Sequence, residues 1–129
     1  MGTVVLDAGV VIGWLDAAGA HHQSSSAALD ERAAEDLRVP ASAWAEALVR
    51  HVRAGSVDRA RTAIRDAEIA VAPIDEAVAE EAAELRARHA SVRLPDALVI
   101  AYAETVDADE LLTTDSRWAR FSSRVRVVD

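Results

Sequence analysis

Thr3-Val4-Val5-Leu6-Asp7-Ala8-Gly9-Val10-Val11-Ile12 is the stretch on which the fold turns. A short apolar run rich in β-branched side chains and ended by an acid reads as a buried strand, with a helix following from about Ala8. The short-strand pattern returns at Leu37-Arg38-Val39 ahead of Pro40, at Ile69-Ala70-Val71, at Leu111-Leu112-Thr113 and at Val125-Arg126-Val127. Between these runs the period changes. Ala41, Trp44, Ala45, Leu48, Val49 and Val52 form one apolar helical stripe, and Gly55 is its natural stop. Further helices are expected over residues 22–35, 57–67, 75–90, 95–106 and 116–121, with a turn at Ala18-Gly19-Ala20. Strands alternating with helices predict an α/β fold whose mostly parallel sheet is covered on both faces. At 129 residues, with no repeat and no long linker, the chain is expected to form one domain, 1–129.

Composition removes several classes of chemistry. There is no cysteine, which excludes disulfides, thiolate metal sites and a cysteine nucleophile and fits a reducing cytoplasm. All 14 basic residues are arginine, so no lysine-dependent mechanism is available. The opening residues lack the basic start of a secretory signal, and Asp7 and Asp16 interrupt the apolar stretch far short of a membrane span, so a cytoplasmic protein with no membrane association is expected. A net charge of −8 argues against holding nucleic acid by bulk electrostatics. Any such role needs a local remedy.

Four acids stand apart from the rest. In open α/β sheets the ligand site lies beyond the carboxyl ends of the strands. Asp7 and Asp115 each close a strand and open a helix, a position that an ordinary helix-capping aspartate also fills. Asp96, in Leu94-Pro95-Asp96-Ala97-Leu98, suits a first helical turn, but it shares a side with Val99, Ile100 and Ala103 and is expected to face inward. Glu46 lies early in the helix after Pro40 and could simply pair with Arg50 four residues on. A helix following a strand starts at the same sheet edge as Asp7 and Asp115, so all four acids can converge there. Glu80, Glu81 and Glu84, like Asp30, Glu31, Glu35 and Asp36, read instead as solvated helix faces, and His21, His22, His51 and His89 show no metal-binding spacing.

Carboxylates held together without cations repel one another and bind protons more tightly. Oxygen-only donors suit Mg²⁺ or Mn²⁺, and a site of this kind points to phosphodiester hydrolysis by a metal-activated water. Bound divalent ions also supply positive charge where phosphate must approach, and the stretches Arg50 to Arg65 and Arg117 to Arg126 could add contacts to a nucleic-acid backbone.

At this point the residues resemble the PIN-domain ribonucleases, specifically the VapC-type toxins of bacterial toxin–antitoxin pairs. Val4-Val5-Leu6-Asp7 with Val10-Val11-Ile12 resembles the family's first strand and first acid, and Ser42-Ala43-Trp44-Ala45-Glu46 its second. Leu94-Pro95-Asp96-Ala97-Leu98-Val99-Ile100-Ala101 is the most specific match, and Leu111-Leu112-Thr113-Thr114-Asp115 with Trp118 and Phe121 resembles the fourth. The resemblance covers nearly the whole chain. It implies a PIN-like three-layer α/β/α sandwich around about five short strands, with Asp7, Glu46, Asp96 and Asp115 as catalytic and metal-holding residues. It further implies Mg²⁺- or Mn²⁺-dependent endonuclease action on RNA, inhibition by a cognate antitoxin protein, and a homodimer. Gly9 departs from the family's frequent Ser or Asn two residues after the first acid, while Thr113 keeps the hydroxyl expected near Asp115.

A phosphate-accepting receiver domain would need a lysine, and a phosphate-loop or dinucleotide enzyme a glycine-rich loop that five glycines do not form. The alternative left open is a catalytically weak domain of the same fold that binds RNA or a partner protein.

Overall fold

A computed structural model describes all 129 residues. In chain order the elements are β1 (Thr3–Leu6), α1 (Ala8–Leu15), α2 (His22–Asp30), β2 (Asp36–Pro40), α3 (Ala41–Ala54), α4 (Val57–Asp66), β3 (Ala70–Ala72), α5 (Glu76–Arg88), α6 (Leu94–Thr105), β4 (Glu110–Thr113), a 3₁₀ turn (Ser116–Arg120) and β5 (Val125–Val127). The five strands form one sheet in the order β3-β2-β1-β4-β5, and every pairing is parallel. The sheet is therefore wholly rather than mostly parallel.

Val4, Val5 and Leu6 are all buried although neighbours on a strand point to opposite faces, and Leu111, Leu112 and Thr113 repeat this on β4. Both faces of the sheet are thus covered by helix, the α/β/α sandwich expected. The core is small-residue and aliphatic: Ala43 and Ala47 from α3 meet Val5, Val10, Val11 and Leu112 in one cluster. Helix α6 is buried on nearly every side, from Ala97 through Ala103, and so has little freedom to shift. No helix is long and apolar enough to cross a membrane.

Boundaries differ from the sequence reading where local chemistry intervenes. Helix α2 ends at Asp30 rather than residue 35, because residues 31 to 34 turn so that Glu35 and Asp36 can meet the start of the sheet. The helix expected over 116–121 is a 3₁₀ turn, started by the Asp115 carboxylate accepting from the Arg117 amide at 2.9 Å. Strand β3 begins at Ala70, with Ile69 turned into the core.

The topology fixes where a site can lie. From β1 the chain moves outward to β2 and β3, then returns through α5 and α6 to β4 on the other side of β1. The direction of winding reverses between β1 and β4, and the crevice beyond the carboxyl ends of those two strands is where such sheets bind ligands.

Candidate active site

Asp7 sits in that crevice. Its amide donates to the Leu112 carbonyl of β4 at 2.9 Å, extending the ladder by one residue and placing its side chain beside the end of β4. One carboxylate oxygen, Oδ1, caps α1 by accepting from the Ala8 amide at 2.7 Å, and the other, Oδ2, accepts from the Thr113 hydroxyl at 2.8 Å. The capping reading and the site reading are thus both satisfied by one residue. Burial pushes the Asp7 carboxyl up from 3.8 to about 6, against the pull of Thr113 and Ala8 and with added repulsion from Asp96 and Glu46.

Asp96 stands in the first turn of α6 behind Pro95 and is partly buried. Desolvation raises its proton affinity, Arg93 and Arg117 lower it, and Asp115 raises it. Glu46, on α3, remains exposed and accepts no hydrogen bond; desolvation and then Asp96 raise its proton affinity, with Arg93 opposing. The expected pair with Arg50 does not form, because Arg50 reaches back to Asp16 at the end of α1, 3.0 Å away. Asp115 differs from the other three. Arg117 grips both of its oxygens, at 3.0 and 2.7 Å, and holds its carboxyl below the usual range. Through these mutual effects the four acids form a connected set: Asp7 feels Asp96 and Glu46, Glu46 feels Asp96, and Asp96 feels Asp115.

Two hydroxyls carry more than their sequence positions suggest. Thr113 serves chiefly Asp7, while its Oγ1 accepts from the Asp115 amide at 3.1 Å, so one buried hydroxyl ties the first acid to the fourth. Opposite Gly9, a Cβ atom would run into the Thr114 hydroxyl. The space that a serine at residue 9 would use is occupied from the other strand end by Thr114.

Of the arginines that the sequence offered, Arg124 is committed to Glu104 and Asp107, and Arg126 lies near Glu110. Arg117 and Arg120 remain beside Asp96 and Asp115, joined by Arg93, which the sequence reading missed. Its signal was its place just before Leu94-Pro95-Asp96, where a helix-capping residue must lie close to the acid.

The donor set fits a hard divalent cation. All four side chains offer oxygen, and three of them hold protons more tightly than usual, chiefly because burial disfavours the charged carboxylate. Asp7 Oδ1 and Oδ2 each accept one protein hydrogen bond and keep a lone pair spare. No three acidic or histidine side chains close into a ready cage, Arg117 holding Asp115 to one side. Mg²⁺ requires no such cage, since it uses one or two carboxylates and completes its shell with water and phosphate oxygens.

Comparison with known proteins gives a consistent result. The family model described as PIN domain matches residues 4–123. A structure described as a toxin–antitoxin complex from Klebsiella pneumoniae superposes with a TM-score of 0.80 at 21% identity, over 96% of each chain. VapBC2 from Rickettsia felis, bound to a DNA fragment from its promoter, gives 0.79 at 13% identity, over 98% of this chain and 99% of that one. VapC20 of Mycobacterium tuberculosis, described as a sarcin–ricin loop cleaving toxin, gives 0.76 at 14% identity, over 91% and 93%. No curated protein matches the chain by sequence. At these identities the structural likeness is a likeness of fold.

Proposed function

This chain belongs to the PIN-domain family, and from that premise we propose that it is a Mg²⁺- or Mn²⁺-dependent endoribonuclease, the toxin half of a toxin–antitoxin pair. The observation that carries the reading is the set of Asp7, Glu46, Asp96 and Asp115 near the reversal point of the sheet, three of them with proton affinity raised by burial and then by one another. The resemblance to VapC-type toxins supports RNA as the substrate, an antitoxin as inhibitor, a homodimer and a cytoplasmic setting. The same fold in a toxin–antitoxin complex and in a sarcin–ricin loop cleaving toxin supports it further.

Asp7, Asp96 and Asp115, with Glu46 at the rim, would hold the ion. When bound, it supplies an activated water and neutralises charge on the phosphate. The chain's own part is positioning and proton handling. Thr113 and the Ala8 amide fix the Asp7 carboxylate in one orientation, so its spare lone pairs point in a set direction. Helix α6, buried along its length, fixes Asp96. Glu46, exposed and free of hydrogen bonds, would take a proton from the attacking water at a carboxylate oxygen. Arg117 must share or release Asp115 as phosphate arrives, and its guanidinium is then available to the phosphate oxygens.

Purified protein incubated with total RNA, with Mg²⁺ and separately with chelator, tests the proposal when new 5′ ends are mapped. Discrete new ends in Mg²⁺ alone are expected. Intact RNA in both, with soluble folded protein, contradicts the enzymatic reading.

A further inference from the structure

Arginine–carboxylate pairs in this chain are of two kinds. Arg32 joins the end of α2 to β4, bonding Glu110 through two nitrogens and the Ala28 carbonyl through a third. Arg124, ahead of β5, reaches Glu104 of α6, Asp107 and the Ala108 carbonyl. Arg38 pairs with Asp36 on its own strand but also donates to Tyr102 of α6 at 3.2 Å. Each of these ties separate elements together. Arg117 ties none: its partner Asp115 is two residues away at the start of the same 3₁₀ turn, bonded to Nε at 3.0 Å and to Nη2 at 2.7 Å, and the guanidinium makes no other hydrogen bond. Arg61 and Asp58 also pair locally on α4, but Asp58 is 97% exposed, an ordinary solvated pair. Asp115 is 25% exposed and shares a cleft with Asp96.

This pair decides how much of Asp115 is available. Its Oδ1 accepts from both the amide and Nε of Arg117, and its Oδ2 accepts from Nη2. A carboxylate has about four lone-pair positions, so Arg117 occupies most of them, whereas Asp7 gives up only two to the protein. A cation approaching Asp115 therefore meets a guanidinium and not water alone. Moving that guanidinium disturbs little else, because it is 75% exposed and anchored to nothing beyond Asp115. The turn itself stays in place. Trp118, the next residue, is buried in the core, and the Arg117 amide keeps its bond to Oδ1 whichever way the side chain points.

We propose that Arg117 is a built-in latch on the acid set: at rest it competes with the divalent cation for Asp115, and it opens when the guanidinium swings away. The inference rests on the metal-dependent reading for the identity of the competitor, and it adds how the site is held idle. It accounts for an acid set that closes into no ready cage, since the fourth carboxylate is turned to a neighbour on its own turn. It also gives the latch a second key. A guanidinium fork binds phosphate oxygens as it binds carboxylate oxygens, so phosphate and cation both favour the open form. Two ligands that favour the same form tighten one another's binding.

The test is Mn²⁺ binding by the full chain without RNA, read from the paramagnetic resonance signal of the free ion, with folding of each variant checked by circular dichroism. Arg117→Lys keeps the positive charge and loses the fork, and it should bind Mn²⁺ about threefold more tightly than the wild type, the scale of an exposed ion pair. Arg117→Ala removes the charge as well and should bind at least as tightly. Arg120→Lys makes the same exchange in the same cleft, on a residue that holds no acid, and should leave the affinity unchanged. In an Asp115→Asn background the effect of Arg117→Lys should disappear, because nothing remains to latch. Wild-type affinity in Arg117→Lys, the same gain from Arg120→Lys, or a gain that survives Asp115→Asn overturns the latch. The two readings fail separately. Equal Mn²⁺ binding by the wild type and Arg117→Lys contradicts the latch and leaves the cation site standing, while tighter binding by Arg117→Lys with RNA uncut in Mg²⁺ contradicts the nuclease and upholds the latch. Mn²⁺ bound by none of these proteins overturns the latch and the metal reading together.

Discussion

The two ends of the sheet treat acidic residues in opposite ways. At the end where the strands begin, four acids around β1, β2 and β4 have donors. Glu110 is held by Arg32 at 2.8 and 3.2 Å, Asp36 by Arg38 at 2.6 Å, Asp109 accepts from the Thr3 amide at 2.8 Å, and Glu35 accepts from the Gly2 amide. The arginines hold Glu110 and Asp36 below their ordinary range. At the end where the strands finish, Asp7, Glu46 and Asp96 are all displaced upward, with desolvation the leading cause of each. Sheet and residue types are shared, so the difference lies in which acids were given donors close at hand. Of the four site acids only Asp115 is paired, by Arg117, and the other three, left without an ion pair, mark a place where positive charge can come from elsewhere.

The largest effect should come from the unpaired end. Asp96→Asn is expected to keep the fold and lower Mg²⁺-dependent RNA cleavage by about a hundredfold or more, the kinetic equivalent of a few kcal/mol. Glu84→Gln, an exposed acid on α5, should cut at the wild-type rate. Gel-based cleavage of one RNA by the three proteins checks both.

Stability should then change sign between the ends. The rise of Asp7 from 3.8 to about 6 corresponds to about 3 kcal/mol held against the ionised carboxylate. A carboxyl whose folded value is raised costs nothing below its ordinary value and costs fully above its folded value. In chelator at pH 8, Asp7→Asn should therefore stabilise the protein by about 1 kcal/mol after hydrogen-bond losses, and the gain should vanish near pH 4. Urea melts at the two pH values give this directly. Glu110→Gln should do the opposite, costing about 1 kcal/mol near neutral pH by leaving Arg32 half-satisfied. Because Glu110 is depressed, its contribution is present above its ordinary 4.5 and is lost as pH falls through the lowered value.

The smallest effect concerns the crowding between strand end and helix. Gly9→Ala would ordinarily help helix α1 by up to about 1 kcal/mol, but the new Cβ meets the Thr114 hydroxyl. The gain should appear only in a Thr114→Ala background, and thermal melts of the two single variants and the double variant measure that coupling.

Much of this was readable from residues alone because it rests on local periodicity. Thr3-Val4-Val5-Leu6 and Leu111-Leu112-Thr113 are strands because unbroken β-branched and aliphatic runs can be buried on both faces, and Asp7 and Asp115 follow them by position. Topology then brings Asp7 to the reversal point of the sheet and Asp96 and Asp115 to one cleft. What was not readable depends on side chains meeting across the fold. Arg50 turns to Asp16, 34 residues away, instead of to Glu46 on its own helix. Glu35 and Asp36 read as solvated helix but bind the start of the sheet, because α2 stops at Asp30. Thr113 serves Asp7 because register sets Leu6 beside Leu112, a pairing that only the folded sheet defines. Arg93 belongs to no motif and becomes visible only in the wall of the cleft it shares with Asp96 and Asp115.

The central claim is that Asp7 and Asp96 share one cation-dependent site, and melting curves in chelator and in excess Mg²⁺ test it most directly. The wild type should gain about 2.7 kcal/mol at a Mg²⁺ concentration a hundredfold above its dissociation constant. Asp7→Asn and Asp96→Asn should each lose most of that gain, and Asp7→Asn should melt higher than the wild type in chelator. A wild type whose melting temperature is unmoved by Mg²⁺, or variants that lower it equally in both buffers, would contradict the shared site.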